Sequence, residues 1–208
     1  MALSAAEVNT LKLAPPVEGV IPAILNRWSS RAYSSQEVSE ADLAKIFEAT
    51  RWTASAYNEQ PWRFVVGVRG SETHAKIAAS LMGFNQGWAI KAPVLILTMA
   101  QTHFTHNGKE NPCAMYDLGA ATAALTLQAT ELGMTTRSMA GFDPQAARES
   151  LQIPEEFALA TVISLGYQAE PEVLEEEQMR AQEASPRKRK PLNELVFTEW
   201  GKGAELTW

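Results

Sequence analysis

The most restrictive feature of the sequence is a stretch without charged side chains, residues 118–130, between Pro112 and Gly133. Proline suits the first turn of a helix and glycine suits its end, so we predict one long helix over residues 112–132. A helix that has no polar face must be buried on all sides. Its early turns are rich in glycine and alanine, which allows another backbone to approach closely. One chain could enclose such a helix, but a subunit interface suits it better.

Length and composition indicate one compact domain with a substantial core. The chain has 208 residues, of which 46% are hydrophobic and 20% are charged, as in ordinary globular proteins. The net charge of -6 argues against nucleic acid as a partner, because binding a phosphate backbone requires a broad basic surface. The sequence has no glycine-rich phosphate loop and no dinucleotide fingerprint, so neither a P-loop enzyme nor a Rossmann enzyme is predicted.

Cysteine content and hydropathy bear on the location of the protein. Cys113 is the only cysteine, which excludes an intrachain disulfide and a two-cysteine metal site and favours a reducing compartment. His103 and His106 have no third ligand nearby, so no metal site is expected. Residues 1–14 lack the basic start and apolar core of a secretory signal. The longest apolar run, residues 93–100, is too short to span a bilayer. We therefore expect a cytoplasmic protein without a membrane partner.

Changes in composition divide the chain into three parts. Residues 1–20 contain scattered apolar residues and a pair of prolines, which predicts an irregular or partly ordered arm that allows a short helical piece. Residues 21–170 form the core. Residues 171–208 form a C-terminal extension that begins with an acidic, solvated segment and continues with a basic one. The apolar residues that follow suit docking on another surface.

Hydrophobic periodicity predicts helices and strands in the core. Shorter helices are expected over residues 21–28, 40–50, 72–82 and 144–151. Ser39, Ser71 and Asp143 are suited to cap three of them, and Gly83 is suited to end the third. Strands are expected over residues 62–66, 93–99, 134–139 and 158–165. The consecutive apolar residues of the second strand indicate that both of its faces are buried in a sheet.

Residues 55–64 combine a polar loop with the start of a buried strand. Ser55, Asn58 and Gln60 place hydrogen-bonding side chains close together, and Pro61 favours an extended conformation at Gln60. Such a loop can hold amide groups rigidly. An ordinary surface loop that enters a core strand has the same composition, so the pattern alone leaves both interpretations open.

Two short segments are rich in arginine. Residues 27–31 combine two guanidiniums and two hydroxyls at a predicted helix end, which suits a phosphate monoester, an electron-rich ring edge or simply a solvated helix end. Residues 186–190 carry four positive charges. A nuclear-targeting or nucleic-acid-binding tail has a similar charge, but the apolar residues that follow favour phosphate binding within a folded protein.

Together these segments resemble the nitroreductase family of FMN-dependent oxidoreductases. The run Ser-x-x-Asn-x-Gln-Pro-Trp-x-Phe in residues 55–64 is similar to the family signature. Three further segments occur in the family's order: Arg27-Trp-Ser-Ser-Arg31, Met139-Ala-Gly-Phe-Asp143 and Arg187-Lys-Arg-Lys-Pro191. The resemblance implies an α+β fold with a central mixed sheet, helices on both faces and an intertwined homodimer. The C-terminal extension would then dock on the partner subunit.

The resemblance implies a cofactor role for each arginine segment. Arg27 and Ser29 would hold the FMN phosphate and ribityl chain, and Arg187 and Arg189 would complete the phosphate site. Arg31 would reach the pyrimidine edge of the flavin and offset the negative charge that builds there on reduction.

The resemblance also implies flavin contacts in two turns. The backbone of Ala140 and Gly141 would face flavin N5. Some relatives have a glutamate at the Ala140 position, so any role of that side chain is absent here. Asn85 either matches a flavin-contacting asparagine of the family or lies in an ordinary turn. The complete expected set of cofactor-binding residues is Arg27, Trp28, Ser29, Arg31, Ser55, Ala56, Tyr57, Asn58, Gln60, Asn85, Met139, Ala140, Gly141, Arg187 and Arg189.

The activity implied by the resemblance is flavin chemistry without a catalytic protein side chain. NAD(P)H would reduce FMN and leave, and a nitroaromatic, a quinone or a similar acceptor would then enter the same cleft in a ping-pong mechanism. Three alternatives remain open at this point. They are an FMN-binding store or sensor without nicotinamide turnover, a dehalogenase-like or flavin-fragmenting relative, and a flavin-free helical dimerisation module.

Overall fold

The computed structural model describes residues 3–206 and contains one main sheet with helices packed on it. The helices are α1 (Ala5–Lys12), α2 (Pro22–Asn26), α3 (Glu40–Arg51), α4 (Glu72–Ser80), α5 (Gly83–Ala89), α6 (Ala114–Glu131), α7 (Pro144–Leu151) and α8 (Glu177–Glu183). The strands are β1 (Trp62–Val68), β2 (Val94–Gln101), β3 (Thr135–Met139), β4 (Phe157–Gly166), β5 (Phe197–Glu199) and β6 (Lys202–Gly203). In the described part of the chain, no helix has the length and apolar character needed to cross a membrane.

The main sheet contains four strands in the order β1-β2-β4-β3. Each neighbouring pair is antiparallel, with Ile96 of β2 opposite Val66 of β1 and Ile163 of β4. The expected α+β fold is therefore confirmed. The expected mixed sheet is wrong for residues 3–206, because β4 lies between β2 and β3 and runs opposite to both. Strands β5 and β6 form a separate hairpin.

Helices cover both faces of the main sheet, as expected. Alternate side chains of β2 point to opposite faces, so Val94 and Ile96 belong to a different core cluster from Leu95 and Leu97. The first cluster includes buried side chains from α3 and α6, and the second includes side chains from α4 and α7. Burial on both faces explains the uninterrupted apolar sequence of β2.

The predicted helix N-caps are confirmed, but one predicted helix end is wrong. Ser39, Ser71 and Asp143 each accept hydrogen bonds from backbone N–H groups in the first turn of their helices. Gly83 does not end α4, because the chain is already extended at Leu81, which pairs with a residue after β3. Gly83 instead begins α5, so residues 84–88 are helical rather than a turn.

The long uncharged helix forms as predicted but is not enclosed by its own chain. Leu125 and Ala129 of α6 are fully buried against the sheet. On another side of α6, Tyr116 is 79% exposed. Gly119, Ala120 and Ala123 are exposed as well. This outward stripe of small residues satisfies the burial requirement only if a second chain covers it, so the homodimer stays a prediction.

The N-terminal arm contains the short helix that the sequence allowed, and the C-terminal extension is more buried than the sequence suggested. The N-terminal arm includes α1, whose Val8 is fully buried. The acidic segment was expected to be solvated, yet Met179 and Glu183 of α8 are buried. The apolar end of the extension agrees better with expectation, since Trp200 is 94% exposed. Its docking on a partner subunit stays a prediction.

The cap at the start of α7 provides a test of the fold. Asp143 Oδ1 accepts hydrogen bonds from the N–H groups of Gln145 at 2.9 Å and Ala146 at 3.1 Å. We expect Asp143→Ala to lower stability by about 1–2 kcal/mol, or roughly 2–8 °C in Tm for a chain of this size. Asp143→Asn retains the acceptor, so it should cost less than about 0.5 kcal/mol. Thermal unfolding of both variants at one protein concentration checks this, and equal losses would contradict the cap.

Candidate functional site

A cavity of about 210 Å³ collects positive charge beside the N-terminal part of the chain. Its lining includes six cationic side chains and a single carboxylate, together with one serine hydroxyl. The cations are Lys12, Arg27, Arg31, Arg137, Arg187 and Arg189, the carboxylate is Glu183 and the hydroxyl is that of Ser29. Like charges at this density repel one another, so the cavity suits a ligand with more than one negative charge.

The three arginines predicted to bind phosphate all line this cavity. Arg27 Nη1 donates to Ser29 Oγ at 3.2 Å. Arg187 Nη1 donates to the carbonyl oxygen of Arg27 at 2.6 Å, and its other terminal nitrogen donates to the carbonyl of Leu25. Burial and the nearby charge of Arg189 lower the pKa of both Arg27 and Arg187. A phosphate dianion at this point would relieve the repulsion.

Arg31 lies nearby with its hydrogen-bonding groups unused. Its side chain is 10% exposed and its nearest acidic contact is Glu183, with Nη1 3.6 Å from Oε1. Its guanidinium also lies 5.8 Å from the centre of the Phe84 ring. Among residues 3–206, no side-chain nitrogen of Arg31 has a hydrogen-bond partner, and Nε is fully buried. A buried donor without an acceptor is costly, so the unsatisfied Nε and the unused donors beside it suit an acceptor supplied by a ligand or a partner.

Asn85 contacts the predicted flavin-facing turn directly. Its Nδ2 donates to the carbonyl oxygen of Gly141 at 3.0 Å, and the same oxygen accepts from the N–H of Met82 at 3.0 Å. Met139 is buried and Ala140 is exposed. Because α5 carries both Phe84 and Asn85, it connects this turn with Arg31 and the cavity. The structure therefore brings Asn85 together with residues 139–141, despite its position in a helix rather than a turn.

The loop at residues 55–60 lies outside the cavity lining. Tyr57, Asn58 and Gln60 have φ angles of 53°, 55° and 50°, which are unusual for residues other than glycine. The extended conformation expected at Gln60 before Pro61 is therefore wrong. Ser55 Oγ accepts from the N–H of Gln60 at 2.9 Å, and the N–H of Ala56 donates to Asp117 at 3.0 Å. These contacts hold a strained loop that displays Asn58 and Tyr57 to the exterior.

Comparison with known proteins decides the family. The model of the Nitroreductase family matches residues 24–86 and 74–167, which is more than half of the chain. The chain belongs to the nitroreductase family. The expected family is thus confirmed, and the predicted cofactor segments at residues 27–31, 55–60, 85 and 139–141 all fall within the matched part. Residues 187–189 lie beyond it.

Individual relatives agree with membership of the nitroreductase family. A protein of Archaeoglobus fulgidus named as an NADH dehydrogenase/NAD(P)H nitroreductase is 33% identical over 73% of this chain and 86% of its own length. A Thermus thermophilus protein named NADH dehydrogenase is 29% identical over 88% of this chain and 97% of its own length. A crystal structure described as an oxidoreductase containing FMN has a TM-score of 0.85 and 32% identity, and the match covers 92% of this chain and 97% of that one.

Three charged residues of the cavity were missed by reasoning from sequence. Arg137 Nη1 donates to the carbonyl of Ser29 at 2.7 Å, and burial lowers the pKa of Arg137. Lys12 Nζ donates to the carbonyl of Gln182 at 2.9 Å. Glu183 receives hydrogen bonds from residues 30 and 31. Arg137 lies in a predicted strand, Lys12 in the N-terminal arm and Glu183 in the acidic segment. None of these segments contains a local motif that indicates a binding site.

Trp28 belongs to the expected set and lines the cavity, and it also makes structural contacts. Its side chain is buried, and Nε1 donates to Asn9 Oδ1 at 2.9 Å. The Lys12 ammonium lies 4.9 Å from the centre of the Trp28 ring. Trp28 therefore attaches α1 to the rest of the nitroreductase-family fold and directs Lys12 toward the cavity.

The contact between Asn85 and Gly141 can be tested by a double-mutant cycle. A Cβ atom on Gly141 would lie 2.7 Å from Asn85 Nδ2, so Gly141→Ala should cost about 1–3 kcal/mol. Asn85→Ala removes the obstacle together with one hydrogen bond. We therefore expect the double variant to cost less than the sum of the single variants by about 0.5–3 kcal/mol. Urea unfolding of the apoprotein at a fixed protein concentration measures this, and strictly additive losses would rule out the contact.

Proposed function

We propose that this nitroreductase-family chain is an FMN-dependent NAD(P)H oxidoreductase that reduces a nitroaromatic, a quinone or a similar small acceptor. The observation that carries the proposal is the cationic cavity, in which Arg31 has no hydrogen-bond partner among the described residues. The names of the relatives support NAD(P)H as the electron donor. The FMN contained in the similar crystal structure supports FMN as the cofactor.

The residues of the cavity fit a phosphate monoester such as that of FMN. Arg27, Arg187 and Arg189 supply charged donors, and the Ser29 hydroxyl lies within hydrogen-bond distance of Arg27. Two nitrogens of Arg187 are already used on backbone carbonyls. Arg189 donates only to the carbonyl of its neighbour Lys188 among the described residues. Arg27 and Arg189 each use one donor in this way, so both keep more donors available for phosphate than Arg187 does.

The chemistry of the reaction belongs to the cofactor on this proposal. FMN, when bound, would accept a hydride from NAD(P)H and later pass electrons to the acceptor. Arg31 would provide positive charge and unused donors for the electron-rich edge of the ring. The backbone of Ala140 and Gly141, which is fixed by the hydrogen bond from Asn85, would lie next to the reacting atoms of the flavin. None of these residues has to act as a nucleophile or a proton donor.

The site requires two chains on this proposal. The expected flavin contacts of residues 55–60 do not line the cavity of their own chain. The outward stripe on α6 lies on the helix whose Asp117 holds this loop. A homodimer that buries the stripe could bring the loop of one chain to the cavity of the other. The extension at residues 171–208 would supply Arg187 and Arg189 and dock on the partner, while residues 1–20 and 21–170 form the arm and core.

A cytoplasmic location is also proposed. It rests on the single cysteine, Cys113, which is present as a free thiol.

The phosphate assignment predicts a difference between FMN and riboflavin. Arg189→Ala should weaken FMN binding by about 10- to 100-fold, because one charged hydrogen bond contributes about 1.5–3 kcal/mol. Riboflavin binding should change much less, because riboflavin has no phosphate. Lys188→Ala is the matched control, since it removes the same charge from a residue that does not line the cavity. Fluorescence titration measures both ligands, and equal losses for both would remove the phosphate assignment.

The shared cleft predicts ping-pong kinetics. NAD(P)H and the acceptor would occupy the same space in turn, so double-reciprocal plots at several acceptor concentrations should be parallel. Lines that intersect would indicate a ternary complex and contradict a shared cleft. A yellow protein that neither NADH nor NADPH reduces under anaerobic conditions would instead identify an FMN store or sensor.

The two-chain site predicts complementation between two inactive variants. Arg27→Ala and Asn58→Ala dimers should each be impaired at both sites. In a mixed dimer, one site collects both defects and the other receives Arg27 from one chain and Asn58 from its partner. Random reassortment makes about half of the dimers mixed, so about a quarter of all sites should recover.

Unfolding the two variants together, refolding them with FMN and measuring NAD(P)H oxidation tests this complementation. Each variant refolded alone is the control, and a size tag on one chain confirms that mixed dimers form. Activity no higher than the average of the separate variants, in the presence of mixed dimers, would show that the loop does not serve the partner's site.

A further inference from the structure

Glu183 is the only carboxylate that lines the cationic cavity in the described part of the chain. It lies at the end of α8 and is 2% exposed. Its Oε2 accepts a hydrogen bond from the Ser30 hydroxyl at 3.0 Å, and Oε1 accepts one from the N–H of Arg31 at 3.1 Å. Oε1 also lies 3.6 Å from Nη1 of the same arginine. Both carboxylate oxygens therefore form hydrogen bonds with Ser30 or Arg31.

A carboxylate at this position is costly and has specific compensation. Burial raises the pKa of Glu183, whereas the hydrogen bonds from Ser30 and Arg31 and the charges of Arg31 and Lys12 oppose that shift. The cavity would bind an anion more strongly if Glu183 were not negatively charged. Because the Glu183 carboxylate would repel a bound phosphate, its role must be something other than increasing the affinity for the cofactor.

We propose that Glu183 is a positioning residue that sets the redox potential of the bound flavin, by orienting Arg31 and cancelling part of its charge. This inference rests on the proposed function, in which Arg31 contacts the electron-rich edge of FMN. Reduction adds negative charge to that edge, so a nearby cation favours the reduced form and a nearby anion disfavours it. Glu183 thus limits how strongly Arg31 favours reduced FMN, which preserves the driving force for passing electrons to the acceptor.

The chain offers a matched control in the same acidic segment. Glu175 is exposed, pairs with Lys91 at 2.9 Å and does not line the cavity. Glu175→Gln and Glu183→Gln each remove one negative charge and keep the shape of the side chain. Glutamine at position 183 can still accept from the N–H of Arg31 and donate to Ser30, so the local backbone keeps its hydrogen bonds.

The test is the midpoint potential of FMN bound to the holoenzyme, measured by dye-coupled reductive titration. Glu183→Gln should favour reduced over oxidised FMN by about tenfold, equivalent to a rise of about 30 mV for a two-electron couple. Glu175→Gln should change this ratio less than about twofold, because its charge is solvated and does not line the cavity. Glu183→Asp retains the charge, so its potential should stay closer to the wild-type value than that of Glu183→Gln. A potential in Glu183→Gln that equals that of the Glu175→Gln control, or falls below wild type, overturns the proposal.

Two further measurements separate the possible failures. If wild-type protein does not bind FMN, the proposed function and this inference fail together. If wild type binds FMN and discriminates against riboflavin, but Glu183→Gln has an unchanged potential, only the inference fails. If Glu183→Gln does not fold, Arg31→Gln and Arg31→Gln/Glu183→Gln compare the flavin potential with and without the Glu183 charge when Arg31 is absent, and the double variant has no buried unpaired charge at either position. The double variant should then have the higher potential, and equal potentials overturn the proposal.

Discussion

The convergence of guanidinium groups in one cavity is the constraint on which the rest of the site depends. Arg187 binds the carbonyls of Leu25 and Arg27, and Arg137 binds the carbonyl of Ser29. These arginines therefore connect the C-terminal extension and the edge strand β3 to the chain that follows α2. The same groups repel one another, and on the proposed function the FMN phosphate would offset that repulsion. The same arginines therefore connect parts of the fold and form the proposed anion site.

Local features of the fold were predictable from sequence because the interactions responsible for them are local. The N-caps at Ser39, Ser71 and Asp143 act within one helical turn, and the two-sided burial of β2 is visible in its consecutive apolar residues. Errors occurred where a distant partner decides the outcome. Leu81 pairs with Phe142 and ends α4 early, and the antiparallel arrangement of the sheet follows from the pairing of strands that are far apart in sequence.

The candidate site was predictable to a smaller extent, for a related reason. Arginine segments and the Asn85 position could be matched to family motifs, and the structure brings Asn85 against Gly141. Lys12 and Glu183 offered no such motif. Lys12 donates a hydrogen bond to Gln182, which lies 170 positions later in the chain. Glu183 accepts a hydrogen bond from Ser30, which lies 153 positions earlier. Lys12 lies in a segment predicted to be an irregular or partly ordered arm, and Glu183 lies in one predicted to be a solvated acidic stretch, so composition alone marked neither residue.

The attachment of Arg187 to α2 has a consequence for how the protein is made. Its partner carbonyl at Arg27 lies 160 positions earlier in the chain, so a ribosome releases almost the whole core before it adds the last cations of the cavity. On the proposed function, a polypeptide that ended before residue 187 would lack two of the guanidiniums assigned to the FMN phosphate. The six cations can therefore line the cavity together only after residues 187–189 have been synthesised.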